Sequence, residues 1–219
     1  MDVFGSTWAN HPQRVISAWR DAVGENDLVL IPGDISWAMR LDDAICDLEF
    51  IGALPGTKLL LRGNHDYWWS ALGKVRAALP NGCFALQNDC FTIDNISVCG
   101  SRGWVCPGSS AYSETKDRAI YERELIRLRM SLNRLPVLIL MLHFPPFNEK
   151  RQDSGFTQLA EEYGINYLIY AHLHNKACLG AFEGERNGIQ YSLCSADHLG
   201  FAPRLILDAK EPAKKNSCD

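Results

Sequence analysis

Four short apolar runs punctuate the chain, and each stops at side chains able to handle a metal or a proton. Leu28-Val29-Leu30-Ile31 runs into Pro32-Gly33-Asp34, and Lys58-Leu59-Leu60-Leu61 into Arg62-Gly63-Asn64-His65-Asp66. Val137 to Leu142 leads to His143, and Tyr167 to Ala171 leads to His172-Leu173-His174. Runs of this length are too short for a typical helix and read as strands buried on both faces. Ligands of open α/β sheets bind beyond the carboxyl ends of parallel strands, so the pattern predicts that the four endings meet at one rim.

Amphipathic stretches fill the intervals. Residues 10–24 read as a helix with Asn10 as N-cap, Pro12 in the first turn, Val15, Ile16, Trp19 and Val23 on one face, and Gly24 as the stop. After a strand at 28–33, Asp42-Asp43 opens a second helix that Pro55-Gly56 closes; a strand at 58–62 and a short helix at about 69–79 follow. Phe91-Thr92-Ile93 and Ile96-Ser97-Val98 form a hairpin around Asp94-Asn95, a pair suited to positive φ. A long helix starts near Ser113, with Tyr121, Leu125, Leu128, Leu132 and Leu135 on its apolar face and a Glu/Arg-rich solvated face opposite. Strand 137–142, helix 154–163, strand 166–171 and strands near 189–194 and 203–208 complete the order. Residues 1–210 read as one domain, and the tail at 211–219 as disordered.

Composition narrows the function. A chain of 219 residues with 47% hydrophobic content buries a substantial core. A formal charge of -4 and a pI near 5.9 argue against a nucleic-acid surface, so an anionic substrate must be attracted locally, as a metal centre would do. There is no apolar run of about 18 residues and no signal-peptide pattern at Met1-Asp2-Val3-Phe4-Gly5, which points to the cytoplasm and away from membranes. Eight cysteines (46, 83, 90, 99, 106, 178, 194 and 218) contain no C-x-x-C pair and read as reduced, mostly buried thiols.

Asp34, Asn64, His143, His172 and His174 supply one carboxylate, one amide oxygen and three imidazoles, a set that suits Mn, Fe, Zn or Co better than Mg or Ca. In an extended segment His172 and His174 point to the same side and can approach one metal cluster. The tryptophans beside these motifs (37, 68, 69 and 104), with Arg40, Arg62 and Arg102, read equally as core packing or as a mouth that stacks a ring and clamps a phosphate.

Gly33-Asp34, Gly63-Asn64-His65-Asp66, His143 and His172-x-His174 resemble, in order and spacing, the calcineurin-like metallophosphoesterase signature. The resemblance spans residue 28 to about 200. It implies an α/β fold, a four-layer α-β-β-α sandwich of two mixed sheets, with two divalent transition metals (Mn, Fe or Zn) at the strand ends. It implies that Asp34 bridges both metals, that Asn64, His143 and His172 complete one, and that His174 serves the other. His65 would protonate the leaving alkoxide or stabilise the transition state, with Asp66 orienting its ring. The implied reaction is attack of a metal-bound hydroxide on a phosphomonoester or phosphodiester of a small molecule.

Three positions depart from the family pattern. Ala171 stands where the family usually has glycine, and Ile35-Ser36-Trp37 lacks a second aspartate after Asp34. The first family motif, Asp-x-His, is absent, which predicts that the chain as written starts too late and leaves one metal site incomplete unless Asp197 or His198 replaces the lost ligands. A catalytically impaired metal-binding module of the same fold is therefore the alternative to an active enzyme.

Overall fold

A computed structural model describes residues 5–132 and 139–208. Three strands, β1 (Leu28–Ile31), β2 (Thr57–Leu61) and β3 (Cys83–Leu86), form a wholly parallel sheet in the order β1-β2-β3. The second sheet holds β4 (Cys90–Ile93), β5 (Ile96–Ser101), β6 (Ile139–Leu142), β7 (Tyr167–Tyr170), β8 (Gly184–Arg186) and β9 (Ile189–Leu193), in the order β4-β5-β6-β7-β9-β8. Its antiparallel pairs lie at the two edges, and the ladder between β5 and β9 is parallel. The helices are α1 (His11–Ala22), α2 (Leu41–Gly52), α3 (Leu72–Ala78), α4 (Glu114–Leu132) and α5 (Gly155–Glu162).

Alternation along the strands builds the layers. Leu59 and Leu61 of β2 point between the sheets and meet Ile139 and Met141 of β6 and Ile169 of β7. Leu60 points the other way, to Ala44 and Leu48 of α2 and Val75 of α3. Leu140 and Leu142 likewise face Tyr121, Leu128 and Leu132 of α4 and Phe156 and Leu159 of α5. Leu59–Leu61 and Ile139–Leu142 are apolar without alternation because both faces of their strands are covered. The result is the expected α-β-β-α sandwich, with antiparallel pairing confined to the larger sheet.

Several local expectations are corrected. Residues 203–208 join no sheet, having no ladder partner among the described residues. β3 and β8 lie in stretches whose short apolar content gave no strand signal. Asn10 precedes α1 in a left-handed conformation (φ 54°) with no side-chain cap, and α3 begins at Leu72. Leu135, residues 137–138 of the expected strand and the tail at 211–219 lie outside the described residues.

Candidate metal centre

The carboxyl ends of β1, β2, β6 and β7 meet at one rim because two glycines let their loops touch. A Cβ on Gly33 (φ 97°) would lie 2.6 Å from Gly63 N and 2.7 Å from His143 Nδ1, and one on Gly63 would lie 2.1 Å from Asp34 Oδ1. Any side chain at either position would push the loops apart. Asp34 (φ 55°) and His172 (φ 71°) occupy left-handed backbone that their residue types rarely adopt, strain of a kind that persists where surrounding structure enforces it.

Each donor atom is fixed from behind. Asp34 Oδ1 accepts the His65 backbone N–H at 2.9 Å. His143 is buried, and its Nδ1 lies 2.8 Å from Pro32 O, a carbonyl that can only accept. Nδ1 therefore carries the proton, and because burial lowers the ring's pKa the ring is neutral, with a lone pair on Nε2. That Nε2 stands 2.7 Å from Asn64 Oδ1, 3.2 Å from His172 Nδ1 and 3.6 Å from Asp34 Oδ2. His172 Nδ1 is itself 2.8 Å from Asn64 Oδ1, and burial, then the neighbouring His143, pushes its pKa down to about 4.

Two neutral imidazoles, an amide oxygen and a carboxylate thus converge on one small volume. There the His143 Nε2 lone pair faces Asn64 Oδ1 and Asp34 Oδ2, and His172 Nδ1 donates to Asn64 Oδ1 or joins it as an acceptor according to its tautomer. Facing lone pairs repel, and a divalent cation is the species that converts this arrangement into attraction, so the donor set fits a metal ion. Among the described residues, ligand atoms of Asp34, His143 and His172 all lie within 4.8 Å of one another.

His174 is not brought to this group. With φ 71° at His172 the segment is not extended, and the His174 Nδ1 lies 2.7 Å from Asp197 Oδ1 while its ring packs edge-on against Trp8. Asp197 Oδ2 also accepts the Asn175 N–H. Burial opposes ionisation of Asp197, but the Asn175 N–H and His174 outweigh it and hold its pKa below the usual range. His198 turns away and pairs with Glu183 at 2.8 Å.

Asp66 does not orient the His65 ring. It is fully buried, and its oxygens accept the backbone N–H groups of Asp34, Ile35, Ser36 and Gly63 at 2.7–3.1 Å and the Trp68 indole N–H at 2.9 Å. Burial pushes its pKa up against the pull of those donors. Its observed contacts pin the Asp34 loop to the Asn64 loop. The His65 ring instead stacks on Trp37, with centroids 5.2 Å apart and planes 12° apart, and meets the edge of Tyr67.

Trp68 and Trp69 are core residues, 1% and 2% exposed, whereas Trp37 is 50% exposed. Trp104 is part-buried, donates to Asp117 at 3.0 Å and lies under the Arg102 guanidinium. The Arg102 carbonyl accepts the N–H groups of His143 and Phe144, and the Nε atoms of Arg62 and Arg102 are buried without a partner. Arg40 is exposed ahead of α2. The Pro32 carbonyl behind His143 and the Trp37–His65 stack had no sequence signal, since neither depends on a motif.

Fold and donor set together define a layered α/β protein with a rim at its strand ends whose donors suit a cation. A family model described as calcineurin-like phosphoesterase matches residues 9–176, and the chain belongs to that family, whose members typically bind divalent metals. Comparison with curated proteins finds no match. Among solved structures, a protein of unknown function from Aquifex aeolicus is similar over 89% of this chain and 80% of its own, with 15% identity and a TM-score of 0.46. Among the described residues no helix is long and apolar enough to cross a membrane.

Proposed function

We propose that the protein is a cytoplasmic phosphohydrolase that cleaves a phosphomonoester or phosphodiester of a small molecule with a divalent transition metal, of which manganese, iron and zinc suit the donors. The observation that carries this reading is the convergence of Asn64 Oδ1, His143 Nε2 and His172 Nδ1 within 2.7–3.2 Å of one another, with Asp34 Oδ2 beside them. These four residues would hold one ion. The His174 Nε2, left over once Nδ1 is committed to Asp197, would be the chain's donor to a second ion. Bound divalent metal supplies charge neutralisation at phosphate oxygens and activation of water.

The chain's own side chains do the rest. His65, held over Asp34 by its backbone N–H and steadied on Trp37, gives a proton to the departing alkoxide. The guanidiniums of Arg62 and of Arg102, the latter lying over Trp104 and 3.8 Å from Glu124, receive substrate oxygens, while Trp37, Trp104 and Arg40 line the approach. Asp66 keeps the loops carrying Asp34 and Asn64 in register.

The second reading is a metal-binding module of the same fold with impaired catalysis. It is favoured by the separation of His174 from the four-donor group, which leaves a second ion few protein ligands. Metal per chain should be measured beside turnover of p-nitrophenyl phosphate and bis(p-nitrophenyl) phosphate. Bound metal with turnover of either ester, abolished by a chelator and restored by Mn²⁺, is the expected result. Tightly bound metal without turnover would select the second reading, and protein that binds no metal would sink both.

A further inference from the structure

The hairpin of β4 and β5 sets two cysteines face to face. A two-residue turn, Asp94-Asn95, joins its strands, and the register pairs Ile93 with Ile96, Thr92 with Ser97, Phe91 with Val98 and Cys90 with Cys99. In such a hairpin the pair closing the turn exchanges backbone hydrogen bonds, and the pairs alternate from there. Thr92–Ser97 and Cys90–Cys99 are therefore non-hydrogen-bonded pairs on one face, where opposite side chains come closest. At the first, the hydroxyls stand 3.2 Å apart. At the second, Cys90 and Cys99 stand directly opposite each other. A pair of this type has Cα atoms roughly 4.5 Å apart, inside the range of about 4.4–6.8 Å that a disulfide accepts.

The two sulfurs differ in access. Cys99 is fully buried, and its thiol points at Ser131 O, 3.3 Å away. Cys90 is part-buried on β4, an edge strand. We propose that Cys90 and Cys99 form a modification site, an oxidisable dithiol that closes reversibly into a cross-strand disulfide. Cys90 reacts first and Cys99 resolves.

With oxidised glutathione as the oxidant, the Cys90 thiolate attacks one glutathione sulfur, the glutathione S–S bond breaks and one glutathione thiolate leaves. Cys99 then loses its proton and attacks the Cys90 sulfur, expelling the second glutathione. The pair gives up two electrons and two protons, and the glutathione disulfide is reduced to two thiols. The Cys99 thiol pulls the Cys90 pKa down to about 7, while Cys90 and burial push that of Cys99 up, which fits this order of attack. The staple ties the sheet edge to β5, whose continuation holds the His143 turn through the Arg102 carbonyl.

The test treats the full chain with oxidised glutathione and maps its peptides by mass spectrometry. Loss of two hydrogens from the segment containing both cysteines, reversed by dithiothreitol, is expected. Cys99→Ser should stop at a glutathione adduct on Cys90, Cys90→Ser should leave Cys99 unmodified, and Cys46→Ser should leave the disulfide intact. Iodoacetamide should label Cys99 roughly tenfold or more slowly than Cys90. A wild-type chain that halts at the Cys90 adduct, that links other cysteines, or that is modified at Cys46 alone would overturn the proposal.

Discussion

His172 and His174 are separated by a single leucine, yet they stand in two different kinds of site. The His172 Nδ1 faces two acceptors, Asn64 Oδ1 at 2.8 Å and His143 Nε2 at 3.2 Å, and burial keeps its ring neutral. His174 is 35% exposed at its side chain and is held by one carboxylate, Asp197, at 2.7 Å. Around the first, the His143 Nε2 lone pair faces Asn64 Oδ1 and Asp34 Oδ2, a repulsion that a cation would relieve, whereas the second is already satisfied by a charge-assisted hydrogen bond. A histidine's part is thus set by what its ring nitrogens face, and the spacing of two histidines along the chain does not reveal it.

The comparison breaks most sharply at His143. His143→Ala should remove the bound ion and lower phosphoesterase turnover by roughly 10³-fold or more, the loss expected when several kcal/mol of charge stabilisation disappears. Metal analysis checks this, and full metal content in the variant would remove the four-donor group from the mechanism. His65→Ala should keep the metal and lower kcat by about 10²- to 10⁴-fold on an alkyl phosphate. A nitrophenyl ester, whose leaving group needs little proton help, should suffer less. Equal losses on both esters would deny His65 its action on the leaving group.

The sequence made much of this rim legible because its cues are local. Apolar runs ending at Asp34, Asn64, His143 and His172 predicted where the donors gather, and Leu59-Leu60-Leu61, apolar without alternation, announced a strand covered on both faces. The Asp94-Asn95 turn fixed a hairpin register that also sets Cys90 opposite Cys99. What stayed hidden depends on partners distant in the chain or on backbone that residue type disfavours. The positive φ of His172 turns its neighbour out of the group. Asp66 beside His65 looked like a catalytic partner, but four backbone donors, three of them some thirty residues away, claim its carboxylate. Residues 203–208 carry strand-like residues but no ladder partner among the described residues.

A smaller effect tests the other half of the comparison. If Asp197 fixes the His174 tautomer so that Nε2 faces a second ion, Asp197→Ala should weaken binding of that ion about 10- to 100-fold, as loss of an orienting carboxylate does elsewhere. The ion held by Asp34, Asn64, His143 and His172 should stay. Titration of metal-free protein with Mn²⁺ would resolve two affinities, of which only the weaker should move. A shift in the tighter one would join what the geometry separates.

The smallest effect is a pH dependence of the metal-free protein. The folded His172 has a pKa near 4 against an ordinary 6.5, because burial and His143 disfavour its charged form. The unfolded chain therefore takes up this proton first as pH falls. Stability from this group is fully present above pH 6.5 and declines by about 1.4 kcal/mol per pH unit down to pH 4, below which both states are protonated and the loss is complete. His143 is shifted in the same direction and adds to the slope. Other acid-titrating groups contribute too, so the informative quantity is the difference between wild type and His172→Gln in urea unfolding at pH 7, 6 and 5. The variant should lose less stability across that interval. Parallel curves would mean that the folded protein tolerates a charged His172, and that the lone pairs at the rim are less crowded than their distances imply.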